Sequence, residues 1–400
     1  MIAALAGAVR YGRKTVNPFA FNTTKSIVFR SGAAREIDRH AGSLLGPKVL
    51  LITDPGLTKL GLADPAIAAL RGAGHEVKVF DAVEADPSVA TLMAAVEEGR
   101  AAGATGILGF GGGSSLDVAK VAALLLGSDQ PLDDAWGVNN AVGPRLPLVL
   151  VPTTSGTGSE VTPVAILTVG GDEKRGVSSP AILPDIALLD AELTLGLPAP
   201  ITAATGVDAM VHAIEAYTSA SANNNPLSRM LAREALRLLG ANIDTAVMDG
   251  GNVAAREAML LGSMLAGQAF ANSPVAAVHA LAYPVGGIFH IPHGLSNALV
   301  LTAVLRFNLP AAAAAYAEIA ADAFPHLADM PEEGRAEAFV AALQSLIGRL
   351  QMPMRLRDVN IPEDALPRMA SDAMKQQRLL VNNPRPVSET DALAIYREAW

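Results

Sequence analysis

Gly106-Ile107-Leu108-Gly109-Phe110-Gly111-Gly112-Gly113-Ser114-Ser115-Leu116-Asp117-Val118-Ala119-Lys120 is the run on which the fold turns. Its opening residues are apolar without alternation, the pattern of a strand buried on both faces. Three glycines follow, and a helix is expected to start near Ser114. Without Cβ atoms the glycines let a pyrophosphate approach backbone N–H groups, and the helix start turns its positive dipole end toward the anion. The spacing departs from G-x-G-x-x-G, because counting from Gly109 the last position is Ser114. Without a nucleotide, the same run reads as an ordinary strand-to-helix turn with Ser114 as its cap.

Working outward, Ser26–Phe29 reads as a short strand, and Val49–Thr53 as a buried parallel strand closed by Asp54-Pro55-Gly56. Helix is expected over Pro65–Ala73, strand over Glu76–Phe80, helix over Ser88–Gly103, and a further strand over Leu146–Val151. This β-α-β-α-β succession predicts an α/β, doubly wound, Rossmann-like domain. After the last of these strands, Pro152–Glu160 sets five hydroxyls among two glycines. Such a loop can bond phosphate or ribose, and it is also common loop composition. Past Pro198 the chain becomes Ala/Leu-rich with helical spacing, so the expected division is residues 1–198, binding a dinucleotide, and residues 199–400, all helical. A reactive centre is expected in the cleft between them.

Composition narrows the function. Four hundred residues favour two domains, and a net charge of -9 argues against nucleic acid or an anionic membrane as partner. With no cysteine, any metal must be held by O and N ligands. The apolar run Ile2–Val9 has its positive charges after it and is no convincing leader; later apolar runs are expected to be broken before they could span a membrane. Cytoplasmic residence is the default.

The second half carries Gly206-Val207-Asp208-Ala209-Met210-Val211-His212-Ala213-Ile214-Glu215-Ala216-Tyr217. Asp208 and His212 stand four apart on an Ala-rich helix and leave one face about a turn apart. His279 and His293 follow, separated by Tyr283-Pro284-Val285-Gly286-Gly287, where one helix is expected to end. A lone histidine on an apolar helix is more often a satisfied core residue. Three imidazoles and a carboxylate together would complete a shell for a divalent transition metal. His290 and His326 read as structural, His290 close enough to His293 to support it.

In combination these motifs resemble the iron-containing (group III) alcohol dehydrogenase family, from about Ser26 to the end of the chain, with a dehydroquinate synthase-like architecture. The resemblance implies that Asp208, His212, His279 and His293 bind the metal, that Gly112, Gly113 and Ser114 cradle the pyrophosphate, and that Thr153, Thr154 and Thr157 line the cofactor. Gly111, Asp117 and Ser159, in the same motifs, are further candidate contacts. Asp54 matches an acid that favours NAD through ribose hydroxyls, and Lys174 a cofactor-contacting lysine. Tyr283 stands where the family often has a second histidine, four after the third ligand; it is a candidate catalytic residue or a packed aromatic.

The implied cofactors are NAD and a divalent metal, ferrous iron by resemblance, with zinc also suited to N/O ligation. The implied reaction is metal-assisted hydride transfer between a small alcohol or aldehyde and nicotinamide. A homo-oligomer, taken as a dimer, is expected. A hydroxyacid-oxoacid transhydrogenase with retained NAD is the alternative. A dehydroquinate synthase-like lyase ranks lower, because it needs a basic phosphate pocket and the helical half shows few clustered Lys or Arg in sequence. A nucleotide sensor without chemistry would not need the intact ligand positions.

Overall fold

The computed structural model describes residues 18–170 and 173–400; the run Ile2–Val9 lies outside them. Among the described residues nine strands form: β1 (Ser26–Phe29), β2 (Lys48–Ile52), β3 (Glu76–Phe80), β4 (Gly106–Gly111), β5 (Gly137–Val138), β6 (Leu148–Pro152), β7 (Val164–Val169), β8 (Glu173–Ser178) and β9 (Ile186–Leu189). Six pair in the order β1-β9-β6-β4-β2-β3, every pair parallel. β4, β6 and β9 are buried along their whole length, as strands covered by helices on both faces must be. The helix Val89–Ala102 begins where the Ser88 side chain accepts the Thr91 N–H and ends at Gly103 in left-handed φ.

From β2 the chain steps outward to β3, then returns past β2 to β4, β6 and β9. The strand order therefore reverses between β2 and β4, and the crevice at their carboxyl ends is where open α/β sheets bind nucleotides. Asp54 and Gly111–Gly113 stand at that crevice. β5, β9 and the β7–β8 hairpin are additions to the strands expected from sequence. Ile186-Ala187-Leu188-Leu189 is too short to show a period, and β8 is mostly polar, with Glu173 and Arg175 exposed.

From Ala199 onward the chain is helical. The longest helices are Ala199–Thr218, Pro226–Met248, Val253–Asn272 and His293–Ala323, with Ala277–Phe289 between the last two. They share one apolar core in which Met210, Ile214, Leu236, Leu281, Val304 and Ile319 are buried. Two expectations are corrected here. Pro284 does not end its helix: the chain stays helical to Phe289 and turns only at His290, in left-handed φ. Pro284 is buried in the bundle, so packing holds the helix across the missing N–H. Likewise His293–Ala323 is long and apolar enough, by length and composition, to cross a bilayer, although shorter runs were expected. Half of its most apolar window is buried against neighbouring helices, as in a core helix.

Sheet and bundle meet at a glycine seam. Gly158, at φ +59°, lies so near Gly267 that a Cβ on it would stand 2.5 Å from the Gly267 Cα; a Cβ on Gly267 would stand 2.8 Å from the Gly158 Cα. Gly267→Ala should therefore lower stability by about 1–3 kcal/mol, as overpacking does, read as a drop in denaturant midpoint together with weaker cofactor binding.

Candidate metal centre and cofactor cleft

The helix Ala199–Thr218 places Asp208 and His212 on one face, Ala277–Phe289 brings His279, and His293 opens the next helix. One ligand atom from each of the four lies within 4.8 Å of the others. Asp208, His212 and His279 are buried, while the side chain of His293 is 41% exposed and faces the opening. The His212 ring stacks on Phe270 at 4.4 Å and on His279 at 4.7 Å. Its Nδ1 contacts the Gly156 carbonyl at 3.3 Å, a bond that, with Nδ1–H donating, leaves Nε2 free to ligate. Burial pushes the His212 pKa down to about 3, partly opposed by Asp208, so the ring is a neutral base at neutral pH. Burial raises the Asp208 carboxyl, but the three imidazoles and Asn297 outweigh it and hold it below the usual range.

Two supporting residues were not singled out from sequence. Glu215 accepts the Val278 N–H at 2.7 Å and meets His279 Nδ1 at 2.6 Å, which turns His279 Nε2 toward the other ligands. Asn297 Nδ2 donates to Asp208 Oδ1 at 2.6 Å and lies 3.3 Å from Nε2 of both His279 and His293. Its own Oδ1 is buried without a partner. Acceptors thus converge on one partly positive group, and a divalent cation fits this donor set. Spacing held the signal for both: Glu215 is three after His212, and Asn297 four after His293.

The expected phosphate cradle is capped by backbone alone. Gly112 is the N-cap of the helix Gly113–Gly127, with no side-chain cap bond, so Ser114 does not take the capping role. The Leu116 N–H is bonded to the Gly112 carbonyl, leaving the amides of Gly113, Ser114 and Ser115 without an intrahelical partner. A Cβ on Gly113 would stand 2.8 Å from Thr157, and one on Gly112 3.7 Å from Thr154, so the hydroxyl loop forms the cradle's second wall. The Thr153 N–H, in turn, bonds the Gly111 carbonyl. Asp54 Oδ1 caps the neighbouring helix at the Leu57 N–H.

Asp117 and Ser159 are engaged beneath this surface. Ser159 Oγ donates to Asp117 at 2.6 Å, Asp117 also accepts the Ile166 N–H, and the buried Lys120 ammonium donates to Ser159, Thr162 and the Val164 carbonyl. Lys174 and Arg175 alternate on β8: Lys174, 15% exposed, bonds Asp86 and Thr168, while Arg175 turns outward to Glu173. Tyr283 lies 6.3 Å from the His293 ring, centroid to centroid, and its hydroxyl accepts a hydrogen bond from Arg378. Contrary to the sparse cations expected from sequence, Arg368, Lys375 and Arg378 join Lys174 and Arg175 along one cleft.

Known proteins share this fold. Iron-containing alcohol dehydrogenase family models match residues 24–191, and the C-terminal model of the same family residues 202–400. The chain belongs to the iron-containing alcohol dehydrogenase family. It is 39% identical to a sulfoacetaldehyde reductase of Bilophila wadsworthia, over 94% of this chain and 98% of that protein. The structure of a 1,3-propanediol oxidoreductase superposes with a TM-score of 0.92 at 36% identity, covering 96% of this chain and all of the other. A sulfoacetaldehyde reductase from Bifidobacterium kashiwanohense, solved in complex with NAD+, superposes with a TM-score of 0.83 at 30% identity, covering 96% and 98%.

As a member of this family the protein is a metal-dependent, NAD-linked alcohol dehydrogenase or aldehyde reductase, with iron as the family's metal. Its buried Glu215–His279 pair predicts that Glu215→Gln, which keeps the bond to Val278 but loses the charge behind the imidazole, weakens metal binding by about 10- to 100-fold. Titration against a competing chelator measures it.

Proposed function

We propose that Asp208, His212, His279 and His293 hold the metal, and that NAD lies along the crevice from Asp54 to Lys174 with its pyrophosphate on the amides of Gly113 and Ser114. The observation that carries this reading is the contact of His212 with Gly156, which sets the candidate ligands against the loop that walls the cradle. When bound, the metal polarises the substrate's oxygen and the nicotinamide accepts or gives the hydride. Asp208, His212 and His279 are buried and offer preorganised lone pairs. Phe270 covers one face of His212 and keeps water from it.

Gly111–Gly113 admit the cofactor backbone, Thr153, Thr154 and Thr157 face it, and Asp54 accepts from its ribose hydroxyls through the carboxylate oxygen not used in capping. Asp117 and Ser159 brace the cradle from below. Tyr283 orients the substrate at the mouth beside His293. The relatives act on sulfoacetaldehyde and 1,3-propanediol; we take a short alcohol or aldehyde as the substrate here, residues 1–198 and 199–400 as the two domains, the cytoplasmic nicotinamide pool as the source of NAD, and a homodimer as the working state.

Asp208→Ala or His279→Ala should bring turnover to background while the circular dichroism of the fold persists, and chelation should do the same reversibly. Full activity in metal-stripped protein would sink the ligand assignment. Cofactor choice tests Asp54. The 2′-phosphate of NADP would meet a carboxylate, so NAD should be preferred by about 30- to 150-fold. Asp54→Gly should narrow that ratio, and an unchanged ratio would place the carboxylate away from the ribose.

A further inference from the structure

We propose that the substrate end of the cleft receives an anion, so that the aldehyde or alcohol turned over carries a carboxylate, sulfonate or phosphate a few bonds from its reacting carbon. The inference rests on the oxidoreductase reading above and names the substrate class of that site. A cavity of about 1050 Å³ opens between the β8 edge and the helices around Tyr283. Five cations line it, Lys174, Arg175, Arg368, Lys375 and Arg378, against two acids, Glu173 and Asp372. On a chain of net charge -9 this concentration of positive charge is local to the cleft.

Most of these cations are already paired. Arg175 bonds Glu173 at 2.7 Å, Lys174 bonds Asp86 at 2.8 Å, and Lys375 and Arg368 reach Asp372 at 2.5 and 3.7 Å. Arg378 has no carboxylate partner among the described residues. Its guanidinium instead donates to the Tyr283 hydroxyl at 3.1 Å and lies 5.8 Å from the centre of that ring, which is itself 6.3 Å from the His293 ring. One phenol thus separates the unpaired guanidinium from a candidate metal ligand. A guanidinium presents a planar fork that matches a carboxylate, sulfonate or phosphate edge and stays charged at every working pH. The Tyr283 bond fixes one arm of that fork, and the other side-chain N–H groups have no hydrogen-bond partner among the described residues.

The cavity lining includes none of Gly111–Ser114 and none of Thr153–Gly158, so it is distinct from the pyrophosphate cradle; none of the four candidate metal ligands lines it either, and it borders them through Tyr283, whose ring lies 6.3 Å from that of His293. In the direction of reduction, NADH gives a hydride to the carbonyl carbon and the carbonyl oxygen takes a proton, yielding the alcohol and NAD+. The anionic group is unchanged throughout and serves only to seat the chain with its carbonyl toward the metal ligands. Arg378 is on this account a specificity residue, and Tyr283 holds it in place.

The test uses the metal-loaded enzyme with NADH and four aldehydes: butanal, 4-oxobutanoate, 2-oxoethanesulfonate and glycolaldehyde phosphate. At least one anion should exceed butanal in kcat/KM by about tenfold or more, and its rank names the group recognised. Arg378→Met should lower the ratio of anionic to neutral kcat/KM by about 10- to 100-fold, mostly through KM. Arg378→Lys should recover part of it, and Lys375→Met, whose ammonium is already paired, should cost less. Butanal matching or beating all three anions in the wild type, an equal loss on both classes in Arg378→Met, or a rise in KM for NADH instead would each overturn the proposal. Absence of turnover on all four would instead strike the oxidoreductase reading, and this proposal with it.

Discussion

The backbones of Gly158 and Gly267 meet with no side chain between them, and the site's geometry depends on that approach. It draws the loop Thr153–Gly158 onto the helix Val253–Asn272, while Gly156 comes so near Thr205 that a Cβ there would stand 2.7 Å from the threonine Cβ. One short loop then touches both candidate sites. Its threonines wall the Gly112–Gly113 cradle, and its Gly156 carbonyl contacts His212. Hydride transfer needs donor and acceptor in near contact, and backbone packing, not flexible side chains, sets the candidate cradle beside the candidate metal ligands.

Around the candidate metal ligands, burial and charge act in opposition. A lone buried carboxylate is costly, and so is a lone buried imidazolium. Asp208 and Glu215 place two carboxylates among three histidines, with Asn297 as the neighbouring amide donor. Burial keeps His212 unprotonated, so a divalent cation has no proton to displace there near neutral pH. The same cation would offset the charge of the Asp208 carboxylate.

Much of this was legible because it follows short periods. The i, i+4 spacing of Asp208 and His212, the buried run before Gly111 and the change to helical spacing after Pro198 all express local geometry that a sequence displays directly. The missing parts arise from tertiary contact. Pro284 reads as a stop, but the surrounding bundle carries the helix past it. Arg378 and Arg175 are some two hundred residues apart in sequence and share a cavity only because β8 lies against the helical half. Glu215 lay in plain view within the quoted helix, yet its task depends on His279 arriving from another segment.

The sheet order also bears on how the chain is made. β1 is the first strand among the described residues to leave the ribosome, yet its partner is β9, so that Ser26 aligns with Ile186. At bacterial-to-eukaryotic synthesis rates the intervening chain takes on the order of ten to thirty seconds to appear. Throughout that interval Ser26-Ile27-Val28-Phe29 has no pairing edge and is open to other nascent chains. The strand is only four residues long and is bracketed by Lys25 and Arg30, the brevity and flanking charge that discourage edge-to-edge association. Its late pairing makes β1 the closing stave of the sheet, and a polypeptide released before Ile186 would carry both candidate nucleotide loops without the β9 edge on which β1 closes.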